Sequence, residues 1–147
     1  MIKRIFLIII FSFILNLIWE NLHSILYLGY KNGVITEFIL LRATIVDVFI
    51  ILLICLPFLL IKKIEKYSWI IIFLGIVVAI CIELWALDSG RWSYASTMPL
   101  IPYLHVGLTP TIQLGLLGFI SFYLSSKFFK KKRPQKDETL RGDLFRW

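Results

Sequence analysis

Four apolar runs, at about residues 5–27, 38–61, 67–87 and 109–126, constrain this chain more than any other feature. Each approaches the ~20 residues a helix needs to cross ~30 Å of hydrocarbon. The runs predict an all-α fold, an integral membrane four-helix bundle that occupies residues 1–126, followed by a basic tail over 127–147. Composition agrees. Of 147 residues, 59% are hydrophobic and 17% charged, against about 25% charged in a soluble domain. The mean hydropathy is +0.86.

The first run follows Met1-Ile2-Lys3-Arg4, as in a secretory signal. It leads into Asn16, Trp19-Glu20-Asn21 and His23-Ser24 without a small-x-small cleavage site, and so reads as an uncleaved first helix. Pro57 predicts a kink or early end in the second span. Thr109 and Pro110 suit the start of the fourth, as a side-chain cap followed by proline at the first helical position. The alternative is a start near Tyr103 with a kink at Pro110.

Orientation follows from the basic residues. Of the 16 lysines and arginines, only Lys31, Arg42 and Arg91 fall on one side of the predicted spans. The positive-inside rule therefore places both termini in the cytoplasm, with a long outer loop between the third and fourth helices. The expected location is a cell membrane, bacterial inner or plasma membrane. The net charge of +7 lies in short stretches beside apolar spans. That placement fits anionic lipid at the cytoplasmic tail, with Lys130–Arg133 at its centre, and not nucleic acid. In the extreme tail, Leu140, Leu144, Phe145 and Trp147 could rest on the inner surface.

Each span carries a polar side chain that hydrocarbon resists: Glu20, Asp47, Glu83 and Gln113. A carboxylate there costs roughly 2.5–3.5 kcal/mol even on lenient insertion scales, so a partner or a task is expected. At ~1.5 Å rise per residue, Glu20 lies roughly 24 Å from Arg4 and Glu83 about 25 Å from Lys66. Asp47 sits just below Arg42, and Gln113 just past Thr109. All four belong to the outer third.

Helical spacing aligns Ser12, Asn16, Glu20, His23 and Tyr27 on one unusually polar face. Gly75, Ala79, Glu83 and Ala86 form a stripe whose small members let a neighbour approach, and Gly115 and Gly118 offer another such surface. Glu20, Asp47, Glu83 and His23 are the candidate catalytic residues, since buried carboxyls can serve as acid and base near neutral pH. Arg91, Asn16, Gln113, Trp92 and Tyr94 are the candidate ligand contacts. Arg91 is the expected counter-charge for Glu83 or Asp88. The loop from Asp88 to Leu108, with aromatics and prolines, is expected to lie on the interface as a lid. Trp85, Trp92, Tyr94 and Tyr103 would form its belt, and His105 would be interfacial.

No cofactor is expected. Glu20 and His23 form one Glu-x-x-His pair, the divalent-metal alternative, although di-iron bundles use two. Cys55 and Cys81 read as packing residues. Gly90-Arg91-Trp92, Met98-Pro99 and Gly107-Leu108-Thr109-Pro110 read as motif rather than filler, while HExxH, GxSxG, P-loop and Rossmann fingerprints are missing.

Three functions fit. One is a ligand-binding protein or enzyme acting on a lipid or amphipathic molecule, with Arg91 holding an anionic head group. Another is a structural or accessory subunit, in a homo- or hetero-oligomer, whose polar cluster holds helices together. The third is a proton-coupled transporter or pore, against which the apolar inner halves of the spans argue.

Overall fold

The computed structural model describes residues 1–131, with α1 at Ile2–His23, α2 at Glu37–Leu60, α3 at Ile70–Asp88 and α4 at Leu108–Lys131. All four helices are long and apolar enough to cross a membrane. The expected tail contacts at Lys132, Arg133, Leu140, Leu144, Phe145 and Trp147 lie outside the described residues.

The side chains are arranged inside out relative to a water-soluble bundle. The buried residues of α1 are Ile8, Ser12, Asn16, Glu20 and His23, while Phe6, Ile14, Ile18 and Leu22 are exposed. In water this would be costly on both counts. In lipid the outward aliphatics are solvated and the polar face finds partners inside.

Helix α4 is the hub. It packs extensively along α3 and α1 and also touches α2, whereas α2 and α3 scarcely meet. The α3–α4 seam is set by Gly75 and Gly115. A Cβ on Gly75 would stand 2.3 Å from the Gly115 Cα, and one on Gly115 would stand 2.3 Å from the Ile72 carbonyl oxygen. No side chain fits at such a backbone-to-backbone crossing, so both stripes of small residues are used, and against each other.

One end of the bundle is sealed by Ile8, Ile51, Cys55, Phe58, Ile71, Leu117 and Phe122. At that same end Arg4 pairs with Glu65 at 2.9 Å. Arg4 also donates to the Ser126 hydroxyl at 2.6 Å and lies over the Phe122 ring. It thereby ties the start of α1 to the α2–α3 turn and to α4.

The other end departs from the all-α expectation. Helix α1 stops at His23, short of the expected 27. After a turn of 3-10 helix, Tyr27–Tyr30 forms a strand, β1, antiparallel to β2 at Trp92–Tyr94. Tyr27 opposes Tyr94, and Tyr30 opposes Trp92. Two aromatic segments at the lips of α1 and α3 satisfy their backbone groups in each other, a β-pairing that helical periodicity cannot anticipate.

Beyond β2, the chain makes a turn at Ala95–Met98 and a second closed by Ile101 N–H to Val106 O at 2.8 Å. Tyr103 projects from that second turn with positive φ, 96% exposed. His105 is exposed as well. The start of α4 also differs from expectation. It begins at Leu108, and the Thr109 hydroxyl meets the Met98 sulfur at 3.4 Å instead of capping the helix. Pro57 does not end α2, which runs through it for one more turn.

Candidate functional site

The polar face of α1 is wired along its own helix before it reaches a neighbour. Ser12 donates to the Ile8 carbonyl at 2.7 Å, and Asn16 Nδ2 donates to the Ser12 carbonyl at 2.8 Å. The Asn16 amide is thereby oriented with its oxygen toward α4. There Gln113 Nε2 lies 3.1 Å from Asn16 Oδ1, 2.7 Å from Glu20 Oε1 and 2.9 Å from Asp47 Oδ2. One amide of α4 thus gathers acceptors from α1 and α2.

The amide has two hydrogens for these three oxygens. Carboxyls from α1 and α2 therefore share one donor group on α4.

Glu83 belongs to a separate set. It accepts from Trp92 Nε1 at 3.3 Å and from the Tyr94 hydroxyl by a short bond. Both donors come from the ribbon, and the Tyr27 ring packs against both of them. Alternation along β2 turns Trp92 and Tyr94 to one face and leaves Ser93 exposed. Tyr94 in turn accepts from the Gly107 N–H at 2.9 Å, which fixes the approach to α4. Burial, with the nearby Glu83 charge, raises the Tyr27 and Tyr94 hydroxyls above their ordinary range. Both therefore remain donors at neutral pH.

His23 Nδ1 lies 2.8 Å from the Trp19 carbonyl. A carbonyl can only accept, so Nδ1 carries the hydrogen and, in the neutral ring, Nε2 keeps a free lone pair.

Glu20, Asp47, Glu83, His23 and Gln113 line one cavity of about 420 Å³ together with Arg42, Arg91 and Trp92. Its apolar wall comes from Ile39, Ala43, Val46 and Ile50 of α2 and from Ala79 and Ile82 of α3. These are the two helices that barely touch. The cavity is therefore the wedge between them, polar against α1 and α4 and aliphatic along the gap.

Two expectations are corrected. Arg91 pairs with neither Glu83 nor Asp88. Its guanidinium lies 4.1 Å from the Trp85 ring centre instead, while Glu83 accepts from Trp92 and Tyr94. Trp92 and Tyr94 are not belt residues, since they turn inward to Glu83. His105 stays outside the cavity. Sequence reasoning missed Tyr30 and the role of Arg42, which donates to the Tyr30 hydroxyl at 2.6 Å. Spacing on α2 placed Arg42 above Asp47 but gave no hint of a strand crossing over it.

For the metal alternative, among the described residues no three His, Cys, Asp or Glu side chains converge as a ligand set. Glu20 and His23 contribute only two donors, with Glu20 already engaged by Gln113. Compared with family models, with curated proteins and with solved structures, the chain matches none. The class defined by fold and cavity is thus a helical membrane bundle with an acidic chamber at one end.

Proposed function

We propose that this protein binds or acts on an amphipathic or lipid molecule drawn from the outer leaflet of a cell membrane, with both termini cytoplasmic. The observation that carries this reading is the wedge itself, an aliphatic gap between α2 and α3 that ends on carboxyls. A tail could enter sideways while its polar part lies at the end of the cavity that Glu20, Asp47, Glu83 and Arg91 line. The carboxyls of Glu20 and Asp47, which share the Gln113 amide, would supply acid–base capacity with the free Nε2 of His23 if the ligand is a substrate. A through-membrane path is disfavoured by the apolar seal at the Arg4 end.

A second reading rests on Gln113, whose contacts to α1 and α2 would also serve as interhelical glue. Glu20→Gln and Asp47→Asn separate the two. For a ligand site, folded yield in detergent stays within twofold of wild type while lipid-dependent thermal stabilisation disappears. Loss of folded protein with lipid response intact would instead support the accessory-subunit reading.

The orientation has its own test. Cys81 is exposed and Cys55 buried, so a Cys81→Ala background suits labelling of Ser89→Cys and Ser68→Cys. Impermeant maleimide added outside intact cells should modify the first and spare the second. The reverse pattern would invert the topology.

A further inference from the structure

We infer that Arg42 and Arg91 form a clamp at the cavity mouth for the anionic head group, of phosphate or carboxylate type, of an amphiphile whose tail lies between α2 and α3. This rests on the ligand reading above and adds the charge class of the ligand and a residue, Arg42, to the site.

A lipid tail gains little by moving from bilayer to an aliphatic wedge, because the two environments are equally apolar. Selective binding must therefore come from polar contacts. The cavity offers two kinds, and they differ in availability. Its carboxyls already accept hydrogen bonds from the protein, Glu20 and Asp47 from Gln113, and Glu83 from Trp92 and Tyr94. Among the described residues Arg4 pairs with Glu65, whereas neither Arg42 nor Arg91 forms an ion pair with a carboxylate.

Both guanidiniums are nevertheless held in place. Arg42 lies 5.3 Å from the Tyr30 ring centre and bonds its hydroxyl, while Arg91 lies over Trp85. Stacking fixes the guanidinium plane and leaves N–H groups free to bind an oxyanion in fork geometry. The arginines sit on opposite lips of the gap, Arg42 in the second turn of α2 and Arg91 just past the end of α3. The ribbon links the lips through Tyr30 opposite Trp92 and through Lys31 N–H to the Arg91 carbonyl at 2.7 Å.

Charge placement points the same way. Lys31, Arg42 and Arg91 are the three basic residues at this end of the chain. Lys31 and Arg42 both lie over the Tyr30 ring. The positive-inside bias works against basic residues on the outer face, yet Arg42 and Arg91 both line this cavity and Lys31 lies beside it over the Tyr30 ring.

The test uses the full chain in uncharged maltoside detergent at ~150 mM salt, where surface attraction is screened beyond about 8 Å. Binding is read as thermal stabilisation and by native mass spectrometry with phosphatidylglycerol, phosphatidylcholine or inorganic phosphate. Phosphatidylglycerol should bind at least tenfold tighter than phosphatidylcholine. Arg42→Gln and Arg91→Gln should each weaken it about tenfold. Arg42→Lys should recover only part of that, since lysine keeps the charge and loses the fork.

Equal binding of the two lipids, or indifference to both glutamine variants, overturns the clamp. Val46→Trp, at an exposed position on the wall of the gap, separates the two proposals. If it abolishes lipid binding while the arginine variants do not, the wedge stands and the clamp falls. Inorganic phosphate binding as tightly as the lipid, and lost in the arginine variants, keeps the anion site and overturns its lipid source.

Discussion

Gly115→Val should leave almost no folded protein, seen as loss of the monodisperse peak on size exclusion in detergent. In an ordinary helix interior, replacing glycine gains stability, about 0.5–1 kcal/mol for alanine. Here the sign reverses. The new Cβ would stand 2.3 Å from the Ile72 carbonyl oxygen, and on the facing side the Gly75 Cβ position is only 2.3 Å from the Gly115 Cα. Neither obstacle is a side chain that can rotate away, so the helices must separate. Overpacking of a core typically costs ~1–3 kcal/mol, and a backbone obstacle belongs at the upper end or beyond.

Separation would also reach the site. Gly75, Ala79, Glu83 and Ala86 share the buried face of α3, so a shift at Gly75 draws Glu83 off the ribbon. Gly118→Ala is the control. Its Cβ would meet only the Ile71 and Ile51 side chains, at 3.3 Å and beyond, and its unfolding midpoint should stay within a few degrees of wild type. Comparable loss in both variants would disprove a special role for the Gly75–Gly115 crossing.

Gln113→Leu should cost about 3 kcal/mol, in the range seen when one partner of a buried polar pair is removed. The side chain is similar in volume, so the loss is one of donors. Asn16 Oδ1, Glu20 Oε1 and Asp47 Oδ2 all lose the same N–H group. Replacing Gln113, Glu20 and Asp47 together by leucine should recover most of that stability, because no acceptor is then stranded. A triple variant as stable as wild type, but with no lipid response, means the network exists for its ligand. A triple variant less stable than Gln113→Leu means the polar contacts themselves hold the bundle.

Legibility differed between the two ends of the molecule. The helices could be read because membrane crossing demands long apolar runs, a local property of the chain. Glu20, Asp47 and Gln113 could be placed at one depth because helix rise converts residue number into height. Their convergence on one amide could not be read, since rotation about each helix axis is set by packing with the others. The Gly75 stripe announced a close approach but not its partner. The ribbon escaped entirely. Tyr27 lay in phase with the polar face of α1, so helical spacing absorbed a residue that belongs to a strand. Proximity in sequence offers Arg91 both Glu83 and Asp88, but the fold stacks it on Trp85 and turns Trp92 and Tyr94 to Glu83.

Composition and periodicity by themselves determined that this chain makes four lipid-compatible helices and that carboxyls sit within them near one end. Those are consequences of side-chain hydrophobicity and of a fixed rise per residue, and need no partner. Tertiary structure alone decided that α2 and α3 stand apart, that Gln113 gathers two acids, and that Trp92 and Tyr94 close on Glu83. Each of these depends on which helix faces meet and on a strand pairing across sixty residues of chain, and such non-local contacts leave no periodic trace in the sequence.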